Sequence, residues 1–77
     1  MATRHFFKAL GEEVRHRREL RQMSQEALAH EVGIHRNALG RIERGTQNAT
    51  LATLLSIAGQ LKTPLSELIG SAERRMR

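Results

Sequence analysis

Apolar residues recur along this chain at intervals of three and four, the period of an α-helix, in five successive stretches. Phe7, Leu10 and Val14 mark the inward face of a first helix starting near Thr3 or His5 and running to about Arg21. One further turn along that face brings Arg18 rather than an apolar residue. Ser24 fits the N-cap of a second helix ending near Val32, because its short oxygen can accept from amides left unpaired at the helix start. Leu28 and Val32 lie four apart on that helix; Leu39 and Ile42 lie three apart on a third, spanning Arg36 to Arg44 with His35 at the cap position. These two faces can close on each other. Ala29 is the small residue where the helices would cross, and Gly33 can take the left-handed backbone that ends one helix and redirects the chain.

Gly45 ends the third helix, and Gly45 to Ala49 form a polar loop. Thr50 caps a fourth helix carrying Leu51, Leu54, Leu55, Ala58 and Leu61 at helical spacing. Thr63 followed by Pro64 reads as a cap with proline at the first helical position, opening a fifth helix that Gly70 closes near Ile69. The last residues, SAERRMR, read as a charged tail without fixed structure. The expected division is therefore a domain over 1–70 and a tail over 71–77. No repeat or linker interrupts it.

The stretch QEALAHEVGIHRNALGRIER, Gln25 to Arg44, has the spacing of a helix-turn-helix. With Gly45 after it, and with LGEEVRHRRELRQMSQEALA before the turn and TLATLLSIAGQLKTPLSELI after it, the chain resembles the Cro/repressor (XRE-type) helix-turn-helix DNA-binding family. The likeness runs from about Leu10 to Ile69. It implies an all-α, five-helix, lambda-repressor-like domain whose third helix enters the major groove of double-stranded DNA.

Composition narrows the alternatives. With 77 residues, one small core is available; an aromatic content of 3% leaves aliphatic side chains to build it, and no cysteine can staple it. A formal charge of +5 favours a polyanionic partner. Lys8 and Lys62 are the only lysines, so most of that charge is arginine, which bonds phosphates and guanine edges with two parallel N–H groups. No apolar stretch approaches a bilayer span and no secretory pattern opens the chain, so no membrane is expected and the cytoplasm is the expected compartment.

On a helical wheel Arg36, Asn37, Gly40, Arg41 and Arg44 share the side of the third helix opposite Leu39 and Ile42. Arginine matches guanine O6 and N7, and asparagine matches adenine N6 and N7. The resemblance implies Arg36, Asn37 and Arg41 at base edges, and Gln25, Arg18, Arg44 and Ser24 at the DNA backbone. Arg41 holding a phosphate instead is the competing role. Gly40, placed mid-face, either lets the helix approach the bases closely or is a tolerated weak point. Arg18 on an apolar stripe needs a partner, and Glu43 is the natural one; the resemblance supports an Arg–Glu pair between the first and third helices, with the arginine also near a phosphate. Arg15, Arg17 and Arg21 read as a solvated face.

Enzyme readings fall away on spacing. His30 and His35 superficially resemble the HExxH zinc pattern, but they are five apart with Gly33 between, so one helix face cannot present both; no metal is expected. The chain has no aspartate, which removes an Asp-oriented triad, and it has no glycine-rich phosphate loop. His5, His16 and His30 read as surface residues. No cofactor and no ligand pocket are expected.

The expectation from sequence is a sequence-specific regulator of transcription, not an enzyme, binding a palindromic operator as a homodimer through Leu65, Leu68 and Ile69. In size it resembles phage repressors, restriction-modification controller proteins and small antitoxins, acting by blocking or recruiting RNA polymerase. The competing readings are a protein-interaction adaptor or antitoxin on the same fold, a nonspecific nucleoid protein, and a monomer whose fifth helix closes its own core.

Overall fold

The computed structural model describes residues 2–77, which form five α-helices: α1 (Ala2–Leu20), α2 (Gln25–Val32), α3 (Arg36–Arg44), α4 (Leu51–Gln60) and α5 (Leu65–Arg75). α1 packs against α3 and α5, α2 against α3 and α4, and α4 against α5. At the centre, Val14, Leu28, Leu39, Ile57 and Leu68 are fully buried, one large aliphatic side chain from each helix. That arrangement follows from the helical spacing, since one apolar stripe per helix can be satisfied only by a shared core.

The helix ends are chemically explicit. Ser24 accepts from the Ala27 amide at 3.0 Å and Thr50 from that of Thr53 at 3.0 Å. His35 fills the cap of α3, where Nδ1 accepts from the Asn37 amide at 3.0 Å. Gly33 has φ +83°, and the amide of Ile34 returns to the Ala29 carbonyl, which closes α2 in the left-handed manner expected of glycine there.

Two close approaches lock α1 onto α3. A Cβ at Gly11 would collide with the backbone carbonyls of Ile42 and Glu43, and one at Gly45, with φ +76°, would meet the backbone of Lys8. Helical period gives no sign of Gly11, because hydrogen in place of a side chain leaves no apolar mark.

Four expectations are corrected. Phe6 rather than Phe7 packs against the core, and the two rings meet edge to face at 5.9 Å; both positions fit a stripe through Leu10 and Val14, spaced four or three from Leu10. Thr63 does not cap α5, which begins one residue later, after Pro64. The Thr63 hydroxyl bonds the Leu61 carbonyl instead, at 3.0 Å. α5 does not stop at Gly70 but continues to Arg75, so the boundary between 70 and 71 falls inside a helix. Burial of Ala72 and a 2.8 Å bond from Arg75 to Glu13 repay the helix weakening by glycine. Finally, Arg17 is not on a solvated face: it bonds Glu13, Ser71 at 3.0 Å and Thr63 at 3.4 Å, bridging α1 to α5.

Candidate nucleic-acid interface

α3 divides sharply. Leu39, Ile42 and Glu43 are buried, while Arg36, Asn37, Arg41 and Arg44 are exposed. Four polar side chains, three of them cationic, thus stand on a helix whose other side is fixed in the core. Leu39 and Ile42 set the rotation of the helix, and the positions between them follow at about 100° per residue.

Arg18 and Glu43 form the expected pair. Arg18 Nε donates to Glu43 Oε2 at 2.7 Å and Nη2 to Oε1 at 3.1 Å, a two-bond fork, while Nη1 donates to the Met23 carbonyl at 2.7 Å. The hydrogen bond to Glu43 raises the Arg18 pKa against the opposing effect of burial, with the charges of Glu43 and Glu19 adding to the rise. Arg18 is only 7% exposed, so its guanidinium is spent on protein acceptors and offers a phosphate little surface.

Gln25, the first residue of α2, donates from Nε2 to Glu43 Oε1 at 2.9 Å. A single carboxylate therefore collects α1, α2 and α3. Through that bond Gln25 braces α3, and it remains half-buried at the α2 N-terminus beside exposed Ser24. Gly40 lies beneath this layer rather than mid-way along an open face: it is buried, and a Cβ there would stand 3.2 Å from Arg44 Nη1 and 3.8 Å from the Gln25 amide. Glycine at 40 leaves room for those two side chains to lie over α3. That corrects its expected place in the middle of an exposed face.

Arg41 is held from outside α3. Its Nε donates to Gln47 Oε1 at 2.6 Å, across to the α3–α4 loop. Spacing within α3 could not show this, because the partner lies in a loop without periodicity.

The residues expected at a dimer contact are divided by the structure. Leu68 is fully buried in the chain's own core and has no surface to give a partner, a correction that follows from its place among α1, α4 and α5. Leu65 packs half-buried against the same core, and Ile69 is half-exposed. The large exposed aliphatic side chains lie elsewhere: Leu51 at 68% and Leu55 at 61%, one turn apart on α4, and Leu20 at the end of α1. The period of α4 includes them with its buried residues and could not tell the two sets apart.

His5, His16, His30 and His35 are exposed. Among the described residues no three His, Cys, Asp or Glu side chains cluster as a metal site would need, and no helix is long and apolar enough to cross a membrane.

Residues 14–68 match the model of the helix-turn-helix family HTH_3. The chain belongs to this helix-turn-helix family. It is 42% identical over 60 residues to the control protein C.SmaI of Serratia marcescens, covering 78% of this chain and 71% of that protein. Among solved structures it resembles the restriction-modification controller protein C.AhdI of Aeromonas hydrophila, with TM-score 0.78, 34% identity, and coverage of 80% of this chain and 94% of that one. The clp gene regulator ClgR of Corynebacterium glutamicum shares the fold, with TM-score 0.90 at 22% identity over 92% of this chain and 76% of that one. These relatives are regulators and controller proteins, and the family is not one of enzymes.

Proposed function

We propose that this protein is a sequence-specific, double-stranded DNA-binding regulator of transcription in the cytoplasm, acting as a homodimer on an inverted-repeat operator. The observation that carries the reading is the face of α3, where Arg36, Asn37, Arg41 and Arg44 are exposed opposite buried Leu39 and Ile42. Arg36, Asn37 and Arg41 read bases in the major groove; Arg44, Gln25 and Ser24 meet the DNA backbone, with the unpaired amides at the α2 N-terminus favouring a phosphate oxygen. Arg18 acts on the backbone mainly through the network it holds. The identity to the control protein C.SmaI and to the restriction-modification controller protein C.AhdI supports a controller role.

One such motif reads too few base pairs to select an operator, and two copies on one duplex add their discrimination. Leu51 and Leu55 on α4, with half-exposed Ile69 on α5, offer apolar surface to a second copy. RNA polymerase is the further partner through which a bound dimer would repress or activate.

Selection of duplexes from a random pool tests the whole reading. The expected product is an inverted repeat bound by two chains. Arg36→Ala and Asn37→Ala should each weaken binding to it by about 1–3 kcal/mol while sparing random duplex. Equal losses on both duplexes would move these residues to the backbone, and no enrichment would favour a protein-binding adaptor.

A further inference from the structure

We infer that Gln47, in the α3–α4 loop, is a specificity-determining positioning residue that presents Arg41 end-on to a guanine. The inference rests on the proposed reading of α3 as the base-contacting helix.

Arginine can meet the guanine edge in two ways, side-on through Nε and one terminal nitrogen, or end-on through both terminal nitrogens. Here Nε is already committed to Gln47 Oε1 at 2.6 Å, and the terminal nitrogens make no hydrogen bond among the described residues. Only the end-on fork is left for DNA.

The loop holding Gln47 is itself built on Arg41. The Thr46 amide donates to the Arg41 carbonyl at 3.0 Å, and the Thr46 hydroxyl donates to the same oxygen at 3.3 Å. Gly45 before it is pressed against the Lys8 backbone. The acceptor is therefore carried by an anchored segment, and Gln47 is half-buried while Arg41 is exposed. A long exposed arginine otherwise loses rotamer freedom when it binds; a neighbour that restricts it beforehand removes part of that loss, and only for the geometry it favours. Gln47 needs no contact with DNA to change which base is preferred.

The test compares base-preference profiles of wild type, Arg41→Ala, Gln47→Met, Gln47→Glu and Arg41→Ala/Gln47→Met on the selected operator, with thermal melting of each. Arg41→Ala should flatten the profile at one guanine of each half-site. Gln47→Met keeps the volume and removes the acceptor; it should lower the preference for that guanine about two- to tenfold and leave other positions and the melting temperature unchanged. Gln47→Glu restores the acceptor and should recover the preference while weakening binding to every duplex through its added charge. In the Arg41→Ala background Gln47→Met should have no further effect. An unchanged profile in Gln47→Met, tighter binding at unchanged preference, or an equal effect in both backgrounds would overturn the inference. An even loss across duplexes in Arg41→Ala would place Arg41 on phosphate and overturn it too, whereas failure of wild type to select any duplex would remove the underlying DNA-reading proposal itself.

Discussion

Arg17 and Arg18 are neighbours in sequence and leave α1 about 100° apart, so the same side-chain chemistry is used in two different surroundings. Arg18 turns toward α3, where its side chain and that of Glu43 are 9% and 2% exposed. Arg17 turns toward α5, where it is 22% exposed and shares Glu13 with Arg75. In the first case the partners are sealed: Glu43 takes Arg18 and Gln25, and Arg18 also holds the Met23 carbonyl. In the second, one buried carboxylate meets two arginines that still reach water. The difference lies in what is stranded when a partner is removed. On the α3 side a guanidinium would remain inside without its counter-charge; on the α5 side the arginines can turn outward. The first network also fixes α3, and the second fixes the end of the chain.

The largest expected effect is therefore at Glu43. Glu43→Ala should destabilise the fold by about 3–5 kcal/mol in thermal or urea unfolding, because the buried Arg18 charge is left uncompensated. Replacing Arg18 and Glu43 together by apolar residues of similar volume should recover most of that loss. A single-mutant loss no larger than that of the α5-side variant would break the comparison.

Glu13→Gln should cost less, about 1–2 kcal/mol, since charge-assisted bonds are lost but Arg17 and Arg75 regain solvent. Operator binding by the folded variant should be unchanged. The same residue predicts an acid dependence. Burial pushes the Glu13 carboxyl up, but hydrogen bonds from Arg75 and Arg17 and their charges outweigh it, leaving the group below its ordinary 4.5. A depressed folded-state pKa means a contribution fully present above the unfolded carboxylate range and lost as pH falls through the folded value. Unfolding free energy measured from pH 6 down to below 4.5 should thus fall less steeply in Glu13→Gln than in wild type. Parallel slopes would show that Glu13 is not the titrating group.

The smallest effect calibrates the other two. Arg15 and Glu19 form an exposed pair one turn apart at 3.1 Å. Arg15→Ala should shift stability by only about 0.3–0.5 kcal/mol, an effect that shrinks in high salt. A larger loss would show that burial does not grade these arginines.

Much of the candidate interface, the polar face of α3, was legible because an amphipathic helix declares its own rotation. Once Leu39 and Ile42 face inward, Arg36, Asn37, Arg41 and Arg44 must face outward. Arg18 was legible as an anomaly, a cation on an apolar stripe, and Glu43 as its complement. Arg17 was not: its partners Thr63 and Ser71 are 46 and 54 residues away, and a polar residue with a distant polar partner looks in sequence like one in water. Gly40 was misplaced for a related reason. A helical wheel puts it on the polar side, but the layer that covers it comes from Gln25 on another helix and from Arg44.

The chain's own order of residues determined the five helices, the left-handed turn at Gly33, the caps at Ser24, His35 and Thr50, and the separation of α3 into a buried and a polar face. These depend on neighbours within about a turn, through periodicity and local hydrogen bonding. Tertiary structure alone decided that Gly11 is a helix crossing, that Leu68 belongs to the core while Leu51 and Leu55 do not, that Ala72 and Arg75 extend α5 past Gly70, and that Gln47 holds Arg41. Each depends on which distant segment arrives at a given side chain, and a spacing of three or four carries no record of that.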